Sequence, residues 1–335
     1  MLDFYDVQEI ALVQESTGFF YEELGDAFTE KASLLHHVIS CPVLSNKNIN
    51  HLKIDKLGGW SNTSFKLDFS DEAFVMRLNR KNSFLNINRE FEKKNSLLAE
   101  SLGVGARILY CEPDFQVTKY IKNKGMISAE DFNNEEILSN VISTLKKLHF
   151  SGLKFCNALN PYERLVSVYK KICQEGSMLL PKELDEAIQK FKPIFSSQKM
   201  KNLLKVPCHN DTTPYNMLHT ERGTQLVDWE HSANNDPAWD LAYLSAEARF
   251  STELDDRMLC LYEPEDADFS HRFSIYKPLI HLWSTVWLYT QIYSGNEVLS
   301  VEEFRKIAGE RLSLCLELFK EDAFKKAVRS FEEEV

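Results

Sequence analysis

Residues 206–230 read VPCHNDTTPYNMLHTERGTQLVDWE, and Asp211, Asn216 and Asp228 within them carry the first argument about this chain. The apolar approach through Leu203, Leu204 and Val206 predicts a strand ending at His209. The run Gln225 to Trp229 predicts its neighbour, with Glu221-Arg222-Gly223 as the turn between the two. Folding that hairpin returns Asp228 towards the loop that holds Asp211 and Asn216, so two carboxylates and an amide oxygen converge. A hard-oxygen cluster of this kind suits Mg²⁺. His209 and Asp211 alone would read as a capped turn. The addition of Asn216 and an apolar-flanked Asp228 is what points to chemistry.

Length and composition narrow the classes. A chain of 335 residues exceeds a usual single core, so two packed lobes are expected. Hydrophobic residues at 44% and charged ones at 27% are ordinary globular values. A formal charge of −11 argues against nucleic acid as a partner and is compatible with a cationic substrate. The 7 cysteines are scattered and form no CxxC pair, which speaks against both a disulfide framework and a zinc site. The opening MLDFYDVQEI is acidic where a secretory signal is basic. Leu279 to Tyr293 is the most apolar run, but His281, Ser284, Thr285 and Gln291 interrupt it, which predicts a buried helix and no membrane span. A soluble, cytoplasmic protein is expected.

Along the chain the periodicity switches. Residues 1–45 show acidic and apolar positions at helical spacing and are expected as a helical extension. Leu52 to Asp55, Ser64 to Phe69, Ala73 to Leu78, Ile108 to Cys111 and Gln116 to Tyr120 predict strands, with breaks at Gly58-Gly59 and Ser70-Asp71. A helix is predicted from Asn88 to Ser101, stopped by Gly103. After residue 121 the pattern becomes mainly helical. The expected division is a sheet lobe at 46–120 and a helical lobe at 121–335.

The order of these parts resembles the choline kinase and aminoglycoside phosphotransferase family. CHNDTTPYNML is similar to its HxDxxxxN catalytic loop, LVDWEHSANNDPAWDLAYLSAE to its metal-binding segment and following helix, and LGGWSNTSFKLDF to its nucleotide-covering hairpin. VMRLNRK followed by INREFEKKNSLLAESLG is similar to the bacterial LicA-like choline kinases. The resemblance covers about residues 52–295. It implies an α+β fold, bilobal and protein-kinase-like, with a small antiparallel-sheet lobe and a larger helical one. It also implies an ATP-dependent phosphotransferase that converts choline to phosphocholine.

The family pattern assigns roles that elementary chemistry can rationalise. Asp211 would take or orient the proton of the acceptor hydroxyl, and His209 would orient the loop. Asn216 and Asp228 would hold Mg²⁺ against the phosphates. Gly58 and Gly59 would let a turn approach those phosphates, with Ser61 and Asn62 as donors. Arg77 would grip the α- and β-phosphates, partnered by Glu90, with Glu92 the alternative. The segment Val117 to Ile121, including Lys119, would form a hinge to adenine. A quaternary ammonium acceptor has no N–H donor and needs aromatic faces and carboxylates. Glu230, His231, Tyr243, Glu247, Trp287 and Gln291 are the candidates, while Asp240 would buttress the loop and Trp283 and Tyr289 would be core. Two departures stand out: Ser284 where an aromatic cage residue usually falls, and His231 where the branch commonly has Tyr. Ethanolamine, thiamine or an aminoglycoside is therefore kept as an alternative acceptor. A non-catalytic kinase-like binding protein is disfavoured because Asp211, Asn216 and Asp228 are all present.

Overall fold

Three segments of the first half alternate apolar and polar residues strictly enough to bury one face of a sheet. Thr63–Phe69 (β2) turns Phe65, Leu67 and Phe69 inward, and Glu72–Leu78 (β3) brings Phe74 and Met76 against them. The antiparallel register sets Phe65 opposite Met76 and Leu67 opposite Phe74. Leu52–Gly58 (β1) pairs with β2, while Ile108–Cys111 (β4) and Phe115–Lys119 (β5) complete a five-stranded sheet in the order β1-β2-β3-β5-β4. Every neighbouring pair in it is antiparallel.

The structure, a computed structural model, describes residues 34–59, 62–80, 84–175, 180–264 and 266–332. It divides into two compact units, one holding the described residues up to 80 with Ala106–Ile121, the other residues 84–105 and Lys122 onward. Most of the expected amino-terminal extension lies outside the described residues. Its last part does not stand apart: residues 34–40 are helical, and Leu34, Val38, Cys41 and Leu44 are buried in the core of the sheet unit.

Arg89–Ser101 (α1) begins where the Asn88 side chain accepts from the backbone N–H groups of Glu90 and Phe91. Expected with the sheet, it groups with the second unit, because its buried polar groups find partners there. The Asn95 amide donates to the Asn157 side chain at 2.8 Å and to the Ser232 carbonyl at 3.0 Å. The buried positions Glu92, Asn95, Ser96 and Ala99 follow helical spacing and define one face.

The second unit is mainly helical: Glu135–His149 (α2), Pro161–Glu175 (α3), Lys182–Ser196 (α4), Pro237–Ala248 (α5), Thr252–Tyr262 (α6), Phe269–Tyr293 (α7), Val301–Leu318 (α8) and Asp322–Glu332 (α9). The long α7 is buried almost all round and packs against α3, α4, α5, α8 and α9. No described helix is long and apolar enough to cross a membrane.

Strand pairing around the central motif differs from the expected hairpin. Val206–Cys208 (β6) pairs with Ala233–Asn235 (β9), and the hairpin is made by Met217–Thr220 (β7) and Gly223–Leu226 (β8). The turn at Glu221 and Arg222 joins only the arms beside it, with Gly223 at φ +105°. That leaves β6 to pair with a strand further along.

Gly59 sits at φ +131°, and a Cβ built on it would collide with the carbonyl oxygen of Asn62, whereas one on Gly58, at φ +91°, meets open space. Gly59→Ala is expected to destabilise the fold by about 1–3 kcal/mol, and Gly58→Ala by less, about 1 kcal/mol. Urea unfolding of the two variants checks the order; equal midpoints would contradict the clash.

Candidate active site

The loop after β6 is held by one buried carboxylate. Asp240 on α5 accepts the backbone N–H groups of His209 at 2.8 Å and Asn210 at 2.7 Å. Its Oδ2 also lies 3.0 Å from His149 Nε2, while His149 Nδ1 is 2.9 Å from the Tyr262 hydroxyl. A carboxylate only accepts, so Nε2 carries the imidazole proton and Nδ1 accepts from Tyr262. Asn210 takes the left-handed conformation at φ +66°. Its amide donates to the carbonyls of His231 and Ala233 at 3.1 and 3.2 Å, which ties the loop to β9. Cys208 completes, with His149 and Asp240, a buried group at metal-ligand spacing. Its thiol donates to the Asn235 carbonyl at 3.4 Å and burial pushes it up, so this cluster reads as packed core.

His209 is buried, with Nε2 2.9 Å from the Val227 carbonyl and its ring 4.7 Å from that of Trp229. Burial pushes its pKa down, so the neutral ring donates through Nε2. It acts as a strut between the loop and the approach to Asp228.

The Asn216 amide nitrogen donates to Asp211 twice, to Oδ2 and to the carbonyl, both at 2.9 Å. That orientation leaves its Oδ1 as an acceptor. The Val227 N–H donates to the Asn216 carbonyl at 3.0 Å, and Asp228 follows in the left-handed conformation at φ +62°. Burial pushes the Asp211 carboxyl up to about 7; hydrogen bonds from Tyr243 and Asn216 pull the other way, and the Glu230 and Glu247 charges add to the rise. Burial, with the charges of Asp211 and Glu247 beside it, holds the Tyr243 phenol on α5 well above the ordinary range, so it stays protonated and donates. Asp211, Asn216, Tyr243, Glu230 and Glu247 therefore share one neighbourhood.

The remaining acceptor candidates sort differently. Glu230 pairs with Arg89 at 2.9 Å, an arginine that also holds Glu92 at 2.7 Å. Glu247 pairs with Arg311 at 2.6 Å and accepts from the Ser284 hydroxyl at 2.8 Å. His231 Nδ1 lies 2.7 Å from Arg164 Nη2, and the same guanidinium covers the Trp283 ring. Trp283 is buried in the helical core, as expected, with that guanidinium over its face. Trp287 is half-buried against the helical core, and Tyr289 is buried in it. Gln291 corrects the sequence expectation: at 2% exposure, its amide donates to Thr290 and accepts from Asn296, so both ends of the amide are engaged at the end of α7.

In the sheet unit, Arg77 is buried on β3 with its Nε donating to Asn79 at 3.0 Å. Asn62 is buried and its Oδ1 accepts from the Arg80 N–H at 3.3 Å. Ser61 lies outside the described residues. Ile121 ends this unit. The Lys119 N–H donates to the Arg107 carbonyl at 2.8 Å and its ammonium pairs with Glu72, so that N–H has no bond left for adenine. Glu90 is also corrected: it is exposed and pairs with Lys94 at 3.2 Å, whereas Glu92 lies on the buried face of α1. The sequence carried a signal for this, since Glu92 shares helical spacing with Asn95, Ser96 and Ala99. Arg89, Arg164, Arg311 and His149 were missed, and their long-range pairings leave no local pattern.

A choline/ethanolamine kinase sequence profile matches residues 54–267. The protein LicA of Haemophilus influenzae is 28% identical over 215 residues, covering 63% of this chain and 62% of LicA. The chain thus spans less than two thirds of that relative's length. Among solved structures, a choline/ethanolamine kinase family protein from Mesorhizobium loti superposes with a TM-score of 0.76 at 25% identity, covering 90% of this chain and 98% of that one. The choline kinase LicA from Streptococcus pneumoniae shares the fold with a TM-score of 0.68 at 20% identity, covering 87% and 98%, and LicA is also known in complex with AMP. The α+β architecture is that of choline kinases and aminoglycoside phosphotransferases, protein-kinase-like in kind.

The raised Asp211 carboxyl has a consequence for stability. Its folded value, about 7, lies above the ordinary 3.8, so its contribution is complete below that ordinary value and is lost as pH rises to about 7. In thermal melts without metal or nucleotide, the native protein should lose several degrees relative to Asp211→Asn between about pH 5 and 8. A gap that does not vary with pH would contradict the buried carboxyl.

Proposed function

The chain belongs to the choline/ethanolamine kinase family, a family of small-molecule kinases, and from that footing we propose that it transfers the γ-phosphoryl group of ATP to the hydroxyl of a small amino alcohol. Choline, giving phosphocholine, and ethanolamine are the members of that class the relatives' names support. The observation that carries the reading is Asp211, bound by Asn216 and Tyr243, with burial pushing its carboxyl up to about 7. A base titrating near the working pH is matched to accepting a hydroxyl proton as the alcohol oxygen attacks phosphorus.

The residues around it divide the work. Asp240 holds the loop by two backbone N–H groups, so Asp211 meets the acceptor in one geometry. Asn216 turns its nitrogen to Asp211 and keeps its oxygen as an acceptor, and Asp228 adds a carboxylate one residue beyond Val227, which is bonded to the Asn216 carbonyl. Two hard-oxygen donors fit Mg²⁺, which when bound would neutralise phosphate charge. In the sheet unit, Arg77 and the Gly58-Gly59 turn are the groups suited to phosphate, and the AMP complex of LicA supports nucleotide use. His209 keeps the loop in register and moves no proton.

Coupled ADP release measured with choline, ethanolamine, thiamine and an aminoglycoside tests the reading. Acceptor-dependent release is expected with one or both of the first two. Asp211→Asn should lower kcat by about 10²–10⁴ while ATP still binds. An Asp211→Asn protein that retains full turnover removes Asp211 as the base, and ADP release indifferent to any acceptor removes the kinase assignment.

A further inference from the structure

A trimethylammonium head has no N–H to donate, so it is recognised by aromatic faces and surplus negative charge. In this chain both are already met by resident cations. Arg164 on α3 places its guanidinium carbon 4.4 Å from the centroid of the Trp283 ring and donates from Nη2 to His231 Nδ1 at 2.7 Å. Arginine cannot accept, so His231 presents a bare Nδ1 and a neutral ring to it. Asp211 and Glu230 act on this guanidinium through space, yet among the described residues it forms no ion pair. Its charge is therefore committed to the aromatic face and the imidazole.

The carboxylates nearby are matched as well. Arg89 takes Glu230 at 2.9 Å and Arg311 takes Glu247 at 2.6 Å. Glu230 and Glu247 thus each already face an arginine. We infer that Arg164 is a specificity-determining residue that holds the Trp283 face against quaternary ammonium heads and favours acceptors whose nitrogen carries N–H donors. The inference rests on the reading of the chain as an amino-alcohol kinase. A carboxylate offers about four lone-pair positions, so one paired with arginine still accepts from a primary ammonium. A trimethylammonium gains nothing from those lone pairs and must displace Arg164 to reach the ring.

The test is steady-state kinetics with ethanolamine and choline for the native protein, Arg164→Gln and Arg164→Lys, joined to inhibition of the native protein by methylammonium and tetramethylammonium. The native protein should favour ethanolamine in kcat/KM by about tenfold or more. Arg164→Gln should shift that ratio towards choline by about tenfold, chiefly through a lower choline KM, and Arg164→Lys should stay near the native ratio. Tetramethylammonium should inhibit the native protein about tenfold more weakly than methylammonium, a comparison that needs no variant to fold. If both alcohols turn over but tetramethylammonium is the stronger inhibitor, or the ratio is unmoved in Arg164→Gln, the role of Arg164 is overturned. If neither alcohol is phosphorylated although ATP binds, the kinase reading itself falls.

Discussion

The bond on which the site depends is the grip of the buried Asp240 carboxylate on the backbone N–H groups of His209 and Asn210. A loop that carries functional side chains must expose them, and exposed loops are mobile unless their backbone is tied to a rigid element. Here the tie comes from α5, and His149, itself held by Tyr262, fixes the carboxylate from the other side. Charge-assisted bonds in a dry interior are strong when every member is satisfied, and this network satisfies its members through three helices. The left-handed Asn210 and its bonds to β9 then leave the following residue, Asp211, little freedom.

A second constraint is electrostatic. Several carboxylates brought into one partly dry volume repel one another, and protons or cations must offset them. Asp211 answers by holding its proton to about pH 7. Glu230 and Glu247 answer through Arg89 and Arg311. The formal charge of −11 over the whole chain therefore says little about the surroundings of Asp211, where Glu230 and Glu247 each stand beside an arginine. Attraction for a cation is set by that local balance and by which aromatic faces remain open.

Much of the sheet was legible because alternation is a local property. Phe65, Leu67 and Phe69 declare their face within seven residues, and Phe74 and Met76 declare the same face across a short turn. The helix from Arg89 to Ser101 was legible from its spacing and its stop at Gly103. Strand partners were not. The turn at Glu221 and Arg222 was visible, yet β6 passed over its near neighbour and paired with β9, because Asn210 ties the intervening loop to the carbonyls of His231 and Ala233. Gln291 misled for a related reason: a helix face read from spacing does not reveal that Asn296 folds back onto the amide.

The order of chemical groups along the chain, an HxD loop, an amide five residues on and an apolar-flanked carboxylate beyond a turn, determined by itself the kind of fold and named the candidate residues, since spacing and residue type are written in the covalent chain. Only the tertiary structure decided which charges meet. Arg89 reaches Glu230 across 141 positions, Arg311 reaches Glu247 across 64, and Arg164 reaches His231 across 67. Pairings at such separations depend on how helices pack, and no local pattern of residues encodes them.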